Sequence, residues 1–168
     1  MTANAPAAVT DHLKNLYSQY RNTGPIDDRA VFFSPECMQI CKPNPSYAAT
    51  NRNTIVRYLH EAAKDMDAVA ASKGLYTIRP LRQDETTFET DEVVAPTGMT
   101  SSMLRQRAIA EEWVGMRVDL WWPGDEGLLV KVQYWWRREG KEWVQILHDI
   151  MYMGPCDGTE GKDGDVLE

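Results

Sequence analysis

Apolar side chains recur along this chain at helical spacing in two places. Over residues 11–21 they return every three or four positions, which predicts a first helix that ends before a Gly-Pro pair. A longer stripe with the same spacing runs over 53–73 and stops at Gly74, a residue type that often terminates helices. These two segments are therefore the predicted helices.

The remaining apolar stretches have the spacing or composition of strands. One covers 31–42, where a helical turn is expected just before it, and another covers 75–81. Three more follow at 113–122, 128–137 and 142–153, separated by Pro-Gly-Asp and Glu-Gly turn signals. The last three segments are therefore predicted to form an antiparallel meander.

Between these elements the segment 83–102 is acidic, rich in Thr and without either spacing, so we expect a long excursion or flap that covers an opening. The chain length of 168 residues fits one domain, which we place at 10–154. Residues 1–9 are expected to be a flexible N-terminus. The Gly- and Asp-rich residues 155–168 are expected to be a disordered acidic tail.

The register of the last hairpin decides which side chains share a face of the sheet. A three-residue turn with Gly140 in the left-handed conformation pairs Tyr134 with Val144 and Val130 with His148. One face then becomes almost continuously apolar. The other face mixes Trp with charged residues, a composition typical of partner surfaces, and this predicts a homodimer through the outer sheet face.

Charge and cysteine content narrow the class of protein. The formal charge is −7, with 18 Lys and Arg against 25 Asp and Glu, which argues against a nucleic-acid partner. No apolar run approaches the roughly 20 residues that span a bilayer, so no membrane partner is expected. Cys37, Cys41 and Cys156 form no C-x-x-C motif, which favours reduced thiols and a cytoplasmic protein.

The motifs of metal and cofactor chemistry are missing from the sequence. His12, His60 and His148 are the only histidines and form neither H-x-H nor H-E-x-x-H, so no metal site is expected. G-x-G-x-x-G, P-loop and G-x-S-x-G patterns are likewise missing, which removes the usual supports for nucleotide, nicotinamide and serine hydrolase chemistry.

The order of elements and the last hairpin resemble one known superfamily. The hairpin reads Trp135-Trp136-Arg137-Arg138, then Gly140, Trp143 and Asp149-Ile150. In these features the chain is similar to the nuclear transport factor two-like superfamily, which includes SnoaL-like cyclases, ketosteroid isomerase and scytalone dehydratase. The likeness is strongest to the dehydratase, but Arg79 and Leu120 stand where its paired histidines are expected. The wider SnoaL-like group therefore fits better.

The resemblance implies an α+β fold, a cone-shaped curved mixed sheet wrapped around the long helix. It also implies an apolar pocket between sheet and helices, a functional Tyr on the first helix, here Tyr20, and no cofactor. The side chains expected to line the pocket and bind substrate are Tyr134, Tyr152, Met116, Trp136 and Leu120.

His148 is the most interesting candidate for catalysis. In an apolar wall between Ile146 and Ile150 its imidazole would be able to give or take a proton. An equally good interpretation is a core histidine that is hydrogen-bonded to a carbonyl or a Tyr. Both interpretations remain open at this stage.

Three further side chains complete the predicted catalytic set. Glu112 would be the complementary carboxylate, Tyr20 would hydrogen-bond a developing enolate oxygen, and Arg79 would anchor an oxyanion. Each has a structural alternative. These are a solvated strand entry for Glu112, a core position for Tyr20 and Tyr134, and an ion pair for Arg79.

Together these features predict a cofactor-independent isomerase, cyclase or dehydratase. Its substrate would be a small, hydrophobic, polycyclic or polyketide-like intermediate of secondary metabolism, and it would act by acid–base proton transfer. The alternative is a non-catalytic ligand carrier or dimerising adaptor with the same fold, because a fold alone does not assign a function.

Overall fold

The computed structural model describes residues 5–65, 74–122 and 127–160. Within these ranges five strands form one sheet in the order β1-β5-β4-β3-β2, in which β1 runs parallel to β5 and every other neighbouring pair is antiparallel. The strands are β1 (Phe33–Lys42), β2 (Leu75–Pro80), β3 (Val114–Trp121), β4 (Leu128–Glu139) and β5 (Glu142–Pro155). The predicted α+β class is confirmed, and the five strands lie close to their predicted positions.

In the described part of the chain four α-helices accompany the sheet: α1 (Ala7–Asn22), α2 (Arg52–Asp65), α3 (Asp91–Val94) and α4 (Ser101–Ala110). A 3₁₀ helix, Ile26–Phe32, precedes β1 at the place where a helical turn is predicted. The predicted continuation of the long helix over 66–73 lies outside the described residues, as do the turn at 123–125 and the chain ends 1–4 and 161–168.

The inner face of the sheet packs against α1 and α2. Leu13, Tyr17 and Tyr20 of α1 and Ile55 of α2 are buried there against apolar side chains from all five strands. On β3 the inward residues include Val114, Met116 and Val118, as the alternation predicts.

The outer face is covered by the segment between β2 and β3, and this corrects the prediction of a flap over 83–102. The segment between β2 and β3 contains α3 and α4, and its Val94, Leu104 and Ala108 are buried in one cluster with Trp113 and Trp135. The sequence pattern is weak because α3 has four residues and the apolar side chains of α4 follow no clear stripe.

This cover removes the observation on which the predicted homodimer rested. Trp113 and Trp135 are fully buried beneath helices of their own chain, so they are not a surface for a second copy. The homodimer stays a prediction, but not on the basis of exposed aromatic residues.

The register of the β4–β5 hairpin also differs from the prediction. Glu139 pairs with Glu142 across a two-residue turn at Gly140, whose φ is 66°, and the ladder shifts by one residue near Ile146. Beyond that bulge Tyr134 pairs with His148. His148 therefore still reaches the inner face, whereas Ile146 joins the outer cluster.

No helix in the described residues is long and apolar enough to cross a membrane.

Candidate functional site

A cavity of about 150 Å³ lies on the inner side of the sheet, between strands β1 and β5, helix α2 and the loop after β1. Its wall combines three phenols, an amide and a thiol with aliphatic side chains: Gln39, Cys41, Tyr47, Ile55, Tyr58, Leu59, Ala62, Ile150 and Tyr152. The volume is that of an engineered core cavity that binds benzene, so a single six-membered ring fits.

The polar group in the floor of this cavity is the side-chain amide of Gln39, which is 7% exposed. Its Nε2 donates to the backbone oxygen of Tyr47 at 2.9 Å, and its Oε1 lies 3.1 Å from Nδ1 of His148. Gln39 thus connects the cavity to the buried imidazole behind it.

His148 is enclosed on the inner face, with 3% of its surface exposed. Its ring meets the edges of Phe33 and Tyr134, with centroids 5.2 and 5.1 Å away. Nε2 lies 2.5 Å from Oε1 of Gln145 and 3.8 Å from Sγ of Cys37. Loss of hydration on burial lowers the pKa of His148 to about 3, so the ring is neutral at physiological pH.

The predicted position of His148 is therefore observed, but its surroundings match the hydrogen-bonded interpretation. Both ring nitrogens face side-chain oxygens, and the ring lines none of the cavities described here. Its contact with the cavity wall in the described residues is the one between Nδ1 and Oε1 of Gln39.

Two ionisable groups in the cavity wall stay protonated. Burial, followed by the neighbouring Cys41 and Tyr47, raises the pKa of Tyr152. Burial also raises the pKa of the Cys41 thiol. Tyr152 remains 41% exposed at the rim and is the predicted substrate-binding residue that this cavity contains. The wall thus offers hydrogen-bond donors but no thiolate.

The other predicted pocket residues are mainly core. Met116 and Trp136 are fully buried, and Leu120 is partly buried against the inner cluster. Tyr134 packs between Tyr17 and His148, with 5.1 Å between centroids on each side. These four help to shape the inner face but do not line the open cavity.

Tyr20 is buried on α1, which matches the core alternative, and its ring contacts Phe32 and Phe33 with the guanidinium of Arg29 above it. Burial is the main reason that its pKa lies above the ordinary value. Its ring also does not line the cavity.

The prediction that Glu112 faces inward is wrong. Glu112 lies in the turn after α4, is exposed, and has a φ of 56°. Because this left-handed residue ends the helical turn, β3 begins two residues later and the alternation does not extend back to Glu112. The neighbouring Glu111 instead accepts hydrogen bonds from Arg107, Trp113 and Arg137.

Arg79 is not in the cone either. It pairs with Arg117 across the ladder, one position from the inward Ile78, and both guanidinium groups meet Glu85 on the outer side. The Arg79–Glu85 pair is bidentate, with distances of 2.6 and 2.9 Å, and this contact is the main reason that the pKa of Glu85 falls to about 2. The ion-pair alternative therefore holds for Arg79.

Sequence reasoning missed Gln39, Cys41, Tyr47 and Tyr58, although one signal for two of them was present. Met38 and Ile40 belong to the outer cluster, so the alternation along β1 places Gln39 and Cys41 inward. No local signal marks Tyr47 or Tyr58, which meet only through the loop after β1.

A second polar cluster lies on the outer face around Asp149. Burial, followed by Glu89, raises the pKa of Asp149 to about 7, while Lys42 and Arg117 act in the opposite direction. The adjoining cavity, of about 30 Å³, has room for one water molecule and not for an organic ligand. This cluster is therefore a buried proton site without space for a substrate.

A larger, open groove of about 580 Å³ runs between α1, the 3₁₀ helix before β1 and the β4–β5 hairpin. Its one carboxylate near the core, Glu139, is held by Ser34 and Arg137. Val31 in its wall is 71% exposed, so water reaches the groove freely. Within the described residues, no three His, Cys, Asp or Glu side chains converge as metal ligands.

Solved structures of other proteins share this fold. An NTF2-like protein from Pseudomonas putida KT2440 is 10% identical, with a TM-score of 0.55 and coverage of 98% of this chain and 99% of that one. A ketosteroid isomerase-like protein from Erwinia carotovora atroseptica is 11% identical, with a TM-score of 0.53 and coverage of 90% and 99%. A protein with a cystatin-like fold from Nostoc punctiforme is 10% identical, with a TM-score of 0.51 and coverage of 96% and 98%.

These similarities define the class as the NTF2-like, cystatin-like α+β fold, as the sequence resemblance implied. The family model of the SnoaL-like domain matches residues 2–168, so this chain belongs to the SnoaL-like domain family. No curated protein matches the sequence.

Proposed function

We propose that this chain is a cofactor-independent, isomerase-type enzyme that acts on a small cyclic compound bearing a carbonyl oxygen. The observation that carries the proposal is the concave cavity, in which a buried amide and a protonated phenol lie in an otherwise largely apolar wall. Membership of the SnoaL-like family and a fold shared with ketosteroid isomerase-like proteins support the reaction class.

The cavity would favour the enol form of a bound ketone. Gln39 and Tyr152 would donate hydrogen bonds to the oxygen as it gains negative charge, and the buried Gln39 amide would do so where little water reaches it. A proton removed from the α-carbon would return at another carbon of the same conjugated system. The volume narrows the predicted substrate from polycyclic to about one ring.

One observation favours the rival function, a ligand-binding protein without turnover. The nine residues described around the cavity include no carboxylate and no imidazole, so water would have to take the α-proton. The three unpaired cysteines suit a reducing compartment such as the cytoplasm under either function.

Hydrogen–deuterium exchange at the α-carbon separates the two functions without knowledge of the natural substrate. We would incubate the protein with cyclohexanone and 2-cyclohexenone in D₂O and follow the loss of the α-proton NMR signals. An enzyme accelerates this loss over buffer, and Tyr152→Phe slows it by about tenfold because one donor to the oxygen is lost.

Ile150→Phe is the control. Its larger side chain fills the cavity, so the exchange rate should return to that in buffer alone. Saturable binding without accelerated exchange would show a carrier and contradict the enzyme. If the protein neither binds these ketones nor accelerates their exchange, the cavity is not the site of either function.

A further inference from the structure

Gln39 and His148 hold each other in one orientation. Gln39 Nε2 donates to the oxygen of Tyr47, so the amide nitrogen must face that carbonyl and Oε1 must face the ring. Oε1 can only accept, and it lies 3.1 Å from Nδ1 of His148. Nδ1 is therefore the protonated nitrogen of the neutral imidazole.

The other side of the ring supports the same assignment. Nε2 then carries only a lone pair, which cannot bond the Gln145 Oε1 atom placed 2.5 Å away. Nε2 of Gln145, in contrast, is buried without a partner in the described part of the chain. Exchanging the oxygen and nitrogen of the Gln145 amide gives the lone pair of His148 Nε2 a donor and gives the amide nitrogen an acceptor. The opposite tautomer would leave that nitrogen unpaired and set two acceptors against each other at Gln39.

We propose that His148 is a positioning residue that fixes the amide of Gln39 with its second N–H available to the cavity, so that the cavity selects ring compounds with a hydrogen-bond-accepting oxygen. The inference rests on the proposed role of the cavity as the binding site. With Oε1 occupied by His148, Gln39 offers a ligand a hydrogen-bond donor and no acceptor.

The tautomer is tested directly by ¹⁵N NMR of the full chain labelled at histidine. The expected signature of His148 is a protonated Nδ1 and an unprotonated Nε2, unchanged between pH 5 and 8. An Nε2–H tautomer, or a titration between pH 6 and 7, would overturn the proposal.

Selection is tested with two rings of the same shape, cyclohexanone and methylenecyclohexane, which differ in one oxygen. NMR titration should show about tenfold tighter binding of the ketone, the value of roughly one hydrogen bond in a dry site. Gln39→Met, which keeps the length but removes the amide, should reduce this preference to less than about threefold.

His148→Asn and His148→Phe form a matched pair. The Asn amide nitrogen, like Nδ1, is one bond beyond Cγ and can donate to Gln39, so His148→Asn should keep the ketone preference while His148→Phe should lose it. If His148→Phe fails to fold, the ketone preference of Gln39→Met and the ¹⁵N NMR signature of His148 still test the proposal. Equal binding of both rings by the natural protein would refute the selection alone, whereas no binding of either ring would also refute the proposed function.

Discussion

His148 and Asp149 are neighbours on β5, and burial shifts their pKa values in opposite directions. His148 faces the inner core, where burial lowers its pKa from 6.5 to about 3. Asp149 faces outward beneath the covering segment, where burial raises its pKa from 3.8 to about 7. Burial disfavours the charged form of each, so both are neutral over much of the acidic range.

His148 makes the free energy of unfolding decrease at acidic pH. Between pH 6.5 and 3 the unfolded chain binds a proton at His148 and the folded chain does not, so the stabilisation present above pH 6.5 is lost as the pH falls. Urea unfolding should show that the natural protein loses about 2–3 kcal/mol more than His148→Asn between pH 6.5 and 4.5. Parallel curves for the two proteins would show that the ring is solvated in the folded state.

Asp149 has the opposite effect on the pH dependence of stability. Between pH 4 and 7 the folded chain keeps a proton on Asp149 that the unfolded chain releases, so stability falls as the pH rises through this window. The natural protein should lose on the order of 2 kcal/mol relative to Asp149→Asn across it, because Glu89 shares part of the titration. An equal dependence of stability on pH in the natural protein and in Asp149→Asn would contradict this prediction.

At the scale of elements, β3 is held close to the covering segment at Gly115. A methyl group at this position would lie 2.4 Å from Cδ1 of Leu81 and 3.0 Å from the ring of Trp135. Both neighbours are buried in the outer cluster. The glycine is needed here for close packing, and not for an unusual backbone conformation.

Gly115→Ala should therefore lower the free energy of unfolding by about 1–3 kcal/mol, since a well-packed core resists an added carbon. Leu81→Ala opens space at the contact, so the double variant should be less unstable than the sum of the two single variants. Additive effects would show that Leu81 is not the obstacle. Gly24→Ala, with no atom within 4 Å of the added carbon, serves as the control.

The hairpin and β3 show where prediction from sequence worked and where it stopped. Alternation placed Met116, Tyr134 and His148 on the inner face correctly because a strand repeats every two residues. It failed at Ile146 and Glu112, since a bulge and a left-handed turn residue break that repeat without a clear mark in the sequence.

At the scale of the whole molecule, the order of elements was enough to predict the fold, but the site was only partly predictable. A cavity depends on which loops and helices meet, and the loop at Tyr47 approaches Gln39 and Tyr58 through contacts that no local pattern records. Helices α3 and α4, which cover the outer face of the sheet, were not predicted from the sequence for the same reason. Its helices are short, and they gain stability from packing against Trp113 and Trp135.

The two faces of the sheet consequently differ in how tightly they are filled, and β5 offers a matched pair of isoleucines to test this. Ile150 lines the inner cavity, whereas Ile146 is fully buried in the outer cluster. Ile150→Phe should keep its thermal stability and lose ring-compound binding, because the larger side chain occupies empty volume. Ile146→Phe should lose about 1–3 kcal/mol of unfolding free energy, since its site has no space to receive a ring.

Thermal or urea unfolding together with cyclohexanone titration measures both effects on one pair of proteins. Ligand binding by Ile146→Phe should persist below its unfolding transition, because its change lies on the other side of the sheet. Equal destabilisation of the two variants would mean that the inner cavity is closed in solution. Retained binding by Ile150→Phe would instead move the ligand to the groove between α1 and the hairpin, where Leu16 and Trp143 form the walls.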